Sequence, residues 1–78
     1  MEISIEYCMQ WNYEPKAFSL REELASRYPT DIDDFNMIQS GGGVFEVKQH
    51  NNDGTEVLLF SKKELKRFPH ENEIKINK

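Results

Sequence analysis

Residues 2–7 alternate between polar and apolar side chains, in the order Glu-Ile-Ser-Ile-Glu-Tyr. This period of two predicts a β-strand with one strongly apolar face. Residues 8–12 follow without periodicity and are predicted to form a loop, which we call the Cys8 loop. Cys8, the single cysteine of the chain, therefore lies where the predicted strand ends.

A helical pattern begins after this loop. Apolar residues recur there at spacings of three and four: Ala17, Leu20, Leu24 and Tyr28. Pro15 suits the first turn of a helix, where its missing N–H leaves no hydrogen bond unmade. Pro29 closes the stretch, because the residue before a proline disfavours the helical region. The pattern predicts a helix from about Glu14 to Tyr28.

Three further strands are predicted in the second half of the chain, over residues 35–39, 44–48 and 55–60. The last of these is apolar on both faces, so we expect it to be covered on both sides. Asn51-Asn52-Asp53-Gly54 is a strong turn signal before it. Residues 61–78 are mostly polar; a short closing helix is favoured, with a strand over residues 74–76 as the alternative.

The order of these elements predicts the topology. A strand, a crossover helix and a second strand imply a parallel pair with a right-handed connection, which the following hairpin extends in antiparallel fashion. The sequence therefore predicts an α/β fold, a thioredoxin-like β-α-β-β-β-α two-layer sandwich with a mixed four-stranded sheet. We expect residues 1–78 to form one domain, because a chain of 78 residues is too short for a second core.

Composition narrows the function. Ten Lys and Arg against fourteen Asp and Glu give a net charge of −4, which argues against a nucleic-acid partner. No secretory leader pattern and no apolar run of membrane-spanning length is present, so we expect a cytoplasmic protein without membrane association. His50 and His70 have no second ligand nearby in the sequence, so we predict neither a metal site nor another cofactor.

Cys8 is the only cysteine, which excludes an intramolecular disulfide and favours a reducing compartment. Its place just ahead of the predicted helix suggests a reactive thiol, because the positive end of a helix stabilises a thiolate and lowers the pKa of the thiol. The alternative is that Cys8 is a small buried apolar residue. A sulfur buried deep in the molecule would argue against the reactive interpretation.

Three blocks of the sequence resemble the selenoprotein W-like (Rdx) family, which includes selenoproteins T, W and H. The first is similar to the family's Y-C-x-x-C or Y-C-x-x-U motif (U is selenocysteine) followed by G-Y-x-P-K, and reads Tyr7-Cys8-Met9-Gln10-Trp11-Asn12-Tyr13-Glu14-Pro15-Lys16. The second resembles the family's glycine-then-F-E-V strand and reads Gly42-Gly43-Val44-Phe45-Glu46-Val47. The third, Ser61-Lys62-Lys63, is similar to its S-x-K segment.

The resemblance implies a redox protein of thioredoxin-like fold, in which the first cysteine attacks a disulfide and the second resolves it. Trp11 stands where the second cysteine or selenocysteine would be, and Asn12 replaces the usual glycine. A two-thiol cycle within one chain is therefore excluded. What remains is monothiol exchange through Cys8, with glutathione or a protein thiol as the partner.

The remaining expectations concern the surroundings of Cys8. We expect Gly42, Gly43 and Val44 to bring the backbone close to the Cys8 loop, at the edge that would face a substrate. The Trp11 ring either packs on the first helical turn or offers an aromatic surface to a partner. The alternative function is a non-catalytic, thioredoxin-like module that binds a protein through the Cys8–Trp11 segment.

Overall fold

The computed structural model describes residues 1–78 and contains a four-stranded sheet with one long and one short helix. In chain order the elements are β1 (Glu2–Cys8), α1 (Glu14–Arg27), β2 (Asp34–Ser40), β3 (Phe45–His50), β4 (Glu56–Ser61) and α2 (Lys62–Leu65). The strand order is β2-β1-β3-β4. β1 pairs with β2 in parallel and with β3 in antiparallel fashion, and β3 pairs antiparallel with β4. The predicted mixed four-stranded α/β architecture is confirmed.

α1 connects the two parallel strands and begins and ends near the predicted residues. Pro15 lies in its first turn, as the sequence indicates. The helix ends at Arg27, because Tyr28 has already left the helical region with φ −130° and ψ 59° ahead of Pro29. No helix of the chain has the length and apolar character needed to cross a membrane.

The hydrophobic core lies between α1 and one face of the sheet. The helix buries Ala17, Leu20 and Leu24. The two central strands contribute alternate residues that are at most 1% exposed: Ile3, Ile5, Tyr7, Phe45 and Val47. This is the face that the period of two predicts, because successive strand residues point to opposite sides of a sheet.

The other face of the sheet is polar. Ser4 Oγ and His50 Nε2 share a hydrogen bond of 2.8 Å across β1 and β3, and His50 Nδ1 lies 3.3 Å from Glu56 Oε1 on β4. The expectation that β4 is covered on both sides is wrong, since Leu58 is 46% exposed while Phe60 is buried. β4 is an edge strand, and no second layer packs over its outer face.

The chain after α2 has neither a helix nor a strand, and we call residues 66–78 the tail. The closing helix expected there is therefore confined to the four residues of α2, and the alternative strand over residues 74–76 is wrong. The helix stops because Lys66 adopts a left-handed conformation with φ 63°. Ile74, 3% exposed, nevertheless anchors the tail in the core.

Hydrogen bonds to side chains replace regular structure in the tail. The buried amide of Gln49 donates to the carbonyl of Asn77 at 2.6 Å and accepts from its N–H at 2.7 Å, as a strand partner would. Arg67 forms two hydrogen bonds of 2.7 Å with the carboxylate of Glu73. The Gln49 contacts satisfy the backbone groups of Asn77 that a strand would otherwise pair, and the Arg67–Glu73 contacts join the two side chains.

The Arg67–Glu73 pair should make the stability of the protein depend on pH. The Arg67 guanidinium and the N–H of His70 lower the pKa of Glu73 from 4.5 to about 2. A carboxyl whose pKa is depressed by folding stabilises the native state above its unfolded pKa, and this contribution is lost as pH falls through the folded pKa. We therefore expect the free energy of unfolding to fall between pH 4.5 and pH 2 less steeply in Glu73→Gln than in the natural protein.

Urea denaturation followed by circular dichroism at a series of pH values measures this slope. Glu71→Gln is the matched control, because Glu71 is a tail carboxylate without an ion pair. Equal slopes in the natural protein and Glu73→Gln would contradict the assignment.

Candidate functional site

Cys8 is the last residue of β1 and is fully buried, which is the outcome that argues against a thiol that reacts without a change in conformation. Its N–H donates to the carbonyl of Val44 at 2.9 Å, and the N–H of Met9 donates to the carbonyl of Ser40 at 2.9 Å. The end of β1 is thus held between β2 and the segment that leads into β3. Because Tyr7 points into the core, the next residue along the strand points to the opposite side of the sheet. Loops rather than α1 therefore cover the thiol.

The backbone around Cys8 lowers the pKa of its thiol. Burial raises the pKa of the thiol, and hydrogen bonds from the N–H groups of Gly43, Trp11 and Gln10 lower it, with a net pKa below the ordinary value. The sequence attributed such a shift to the positive end of α1. In the structure the N–H groups that lower the pKa come instead from the Cys8 loop and from the glycine segment, residues 41–43. The helix α1 begins only at Glu14.

The Cys8 loop owes its shape to two turns and one unusual residue. The N–H of Asn12 donates to the carbonyl of Met9 at 3.3 Å, and the N–H of Tyr13 donates to the carbonyl of Cys8 at 3.2 Å. Asn12 has φ 58°, in the left-handed region that glycine favours and asparagine tolerates. Asparagine is therefore a workable replacement for the glycine of the similar motif, and it leaves the loop folded back over β1.

Trp11 lies against the glycine segment and also faces solvent. A Cβ added at Gly43 would lie 2.9 Å from Cζ3 of the Trp11 ring, so only glycine leaves room for the indole there. The ring is nevertheless 62% exposed and meets Tyr13 edge-on at 6.2 Å between centroids. Both proposed roles of Trp11 thus have a structural basis, since one part of the ring packs and the rest remains available.

The other residues of the sequence motif take different positions around this centre. Met9 and Gln10 are exposed above the buried thiol, and Pro15 lies in the first turn of α1. Gly42 has φ 68° with open space around it, next to Gly43. His50 pairs with Glu2, at the end of β1 opposite to Cys8, so it does not lie beside the thiol.

Sequence reasoning missed a cluster of lysines and aromatic rings beside the Cys8 loop. The Tyr13 and Phe68 rings meet edge-on at 4.7 Å between centroids. Lys16 Nζ lies 4.8 Å and Lys62 Nζ 5.3 Å from the centroid of Phe68. The only signal in the sequence was the basic composition around Lys62, which by itself is typical of a solvated surface.

Residues 2–77 match the model of the Rdx family. Among solved structures, a selenoprotein W-related protein from Vibrio cholerae superposes with a TM-score of 0.74 at 25% sequence identity, over 88% of this chain and 80% of that chain. A protein from Bordetella parapertussis also gives a TM-score of 0.74, at 24% identity over 88% of this chain and 81% of that chain, which supports the fold alone. Curated proteins provide no significant match.

Proposed function

Because this chain belongs to the Rdx family, we propose that it is a redox-type protein in which Cys8 exchanges disulfides as a single thiol. The observation that carries the proposal is the place of Cys8 at the end of β1, between the Cys8 loop and the segment leading into β3, where backbone N–H groups lower the pKa of its thiol. Thiolates are the reacting form in thiol–disulfide exchange, and N–H donors stabilise them. A buried apolar cysteine would have no need of such donors.

The proposed reaction needs only one sulfur of this chain. The Cys8 thiolate attacks one sulfur of oxidised glutathione, the glutathione disulfide bond breaks, and one glutathione thiolate leaves. Cys8 is thereby oxidised to a mixed disulfide, and the released glutathione is the reduced product. The thiolate of a partner protein then attacks the glutathione sulfur of the mixed disulfide, which releases the Cys8 thiolate and leaves the glutathione on the partner as a new mixed disulfide. A reducing cytoplasm would supply this partner.

Burial of the sulfur makes access the controlling step. The Cys8 loop has to open before a disulfide of the size of glutathione reaches Cys8, because the thiol is 0% exposed. Cys8 and Met9 are held to the sheet by hydrogen bonds of 2.9 Å, but the rest of the loop is held only by two longer backbone hydrogen bonds, of 3.2 and 3.3 Å, and by the contact of Trp11 with Gly43. Local opening of such weakly held segments is common in folded proteins, and it costs much less free energy than global unfolding.

Intact-mass measurement after incubation with oxidised glutathione tests the proposal. We expect one glutathione adduct on the native protein, no adduct on Cys8→Ser, and removal of the adduct by reduced glutathione. Titration of thiolate absorbance against pH should give a midpoint below the free-cysteine value of about 8.5. An adduct that forms only after unfolding would contradict exchange. It would favour the alternative, a protein-binding module that uses the exposed side chains of Met9 and Trp11.

A further inference from the structure

A groove of about 510 Å³ lies between α1 and the tail, and no residue of the Cys8 loop lines it. Phe68 and the small exposed part of Leu20 provide its apolar surface, with the buried ring of Phe45 beneath them. Ionisable side chains line the two walls: Lys16 and Glu23 on α1, and His70 and Glu71 in the tail. A concave site of this volume, with apolar surface and a few polar groups, is typical of small-ligand sites.

The charges of the groove are separated along its length. Lys16 Nζ lies over the ring of Phe68 at 4.8 Å, which places the ammonium beside the start of the tail wall. Glu23 Oε1 accepts the N–H of Asn72 at 2.9 Å, so the carboxylate lies beside the residue that follows Glu71. The helix α1 and the tail therefore follow the groove in the same chain direction. The Lys16 ammonium lies at one end of the groove, and the carboxylates of Glu23 and Glu71 lie at the other.

The distance between these ends follows from the helix. Lys16 and Glu23 are seven positions apart on α1, which corresponds to about 10 Å at a rise of 1.5 Å per residue. An extended peptide advances about 3.3 Å per residue, so roughly three residues cover the same distance. A free peptide of that length also carries a carboxylate at one end and an ammonium at the other.

We propose that this groove binds a free tripeptide with an apolar central residue. The C-terminal carboxylate lies at Lys16, the N-terminal ammonium at Glu71 and Glu23, and the central side chain on Leu20 and Phe68. Glu71 is the stronger partner of the ammonium, because Glu23 is shared with Arg27 NH1 at 3.8 Å. The proposal goes beyond the redox function and involves neither Cys8 nor its loop.

Charge complementarity favours this ligand over simpler ones. A purely anionic ligand would meet Glu23 and Glu71, and a purely cationic ligand would meet Lys16. An uncharged apolar ligand would leave the ends of the groove without partners. A molecule with opposite charges at its two ends matches both ends of the groove.

Gly-Phe-Gly is the probe, added to Cys8→Ser protein so that thiol chemistry does not contribute. Chemical-shift changes of backbone amides should saturate with a dissociation constant of roughly 1 mM, because a ligand of this size makes few contacts. Amidation of the peptide carboxylate should weaken binding about tenfold, as loss of one hydrogen bond to a charged group does. Lys16→Met, which keeps an apolar stem of similar length, should weaken the free peptide equally.

A double-mutant cycle makes the assignment specific. If the carboxylate contacts Lys16, amidation should cost the Lys16→Met protein nothing further, and N-acetylation should weaken binding to Glu71→Gln less than binding to the natural protein, because Glu23 remains. Lys75→Met, an exposed lysine outside the groove, is the control and should bind as the natural residue does. Absence of saturation, or equal affinity for the free and amidated peptides, would overturn the proposal.

Discussion

Replacing Phe45 with alanine should lower the free energy of unfolding by about 3–5 kcal/mol, the largest loss we expect from one substitution. The Phe45 ring is 0% exposed and lies on β3 directly opposite Tyr7 of β1. Its centroid is 5.3 Å from that of Phe68, so it also supports the start of the tail. Removing the ring leaves a cavity at the point where α1, the sheet and the tail meet.

The expected loss is large for a chain of 78 residues, whose total stability is about 4–12 kcal/mol at the usual stability per residue. Urea denaturation followed by circular dichroism measures it. Phe45→Leu keeps most of the apolar volume and should lower the free energy of unfolding less than Phe45→Ala does. It can therefore be measured even if the alanine variant is largely unfolded. Phe18→Ala is the matched control, because Phe18 is 38% exposed. A loss at Phe45 no greater than at Phe18 would contradict the assignment of the core.

The central part of the fold follows from local sequence patterns. β1 was expected over residues 2–7 and extends from Glu2 to Cys8, because alternation of apolar residues directly reports burial of one strand face. The helix was expected to end at Tyr28 and ends one residue earlier, at Arg27. These elements are predictable because the same residues that form them also build the core.

The edges of the fold depend on contacts between distant residues and leave no local pattern. The pairing of Gln49 with Asn77 spans 28 positions and involves a side-chain amide in place of a strand. The exposure of Leu58 likewise follows from the place of β4 at the edge of the sheet. The sequence pattern does not distinguish an apolar residue on an edge strand from one on a central strand.

The candidate site was predictable in position but not in mechanism. The boundary between strand and loop located Cys8, and the similar motif identified the residues around it. The N–H donors depend on backbone conformations that composition alone does not specify, namely φ 58° at Asn12 and φ 75° at Gly43. Only the folded loop shows that the thiol is buried while backbone N–H groups lower its pKa.

Gly43→Ala should raise the rate at which iodoacetamide alkylates native Cys8 by about tenfold, the effect of about 1.4 kcal/mol on the opening of the Cys8 loop. The added Cβ would lie 2.9 Å from Cζ3 and 3.2 Å from Cε3 of Trp11, so the indole has to move away. Trp11→Ala removes the same contact from the other side and should accelerate alkylation similarly. Intact-mass measurement at timed intervals gives each rate.

Gly42→Ala is the control that distinguishes the clash of a new Cβ with Trp11 from the strain of alanine at a positive φ. Gly42 and Gly43 have φ 68° and φ 75°, so alanine costs about 1–2 kcal/mol at either position in a left-handed conformation. A Cβ at Gly42 would meet no atom within 4 Å, and this variant should therefore accelerate alkylation less than Gly43→Ala. In a Trp11→Ala background the indole is gone, and the two alanine variants should become equivalent. Equal rates for Gly42→Ala and Gly43→Ala with Trp11 in place would mean that the indole does not control access to the sulfur.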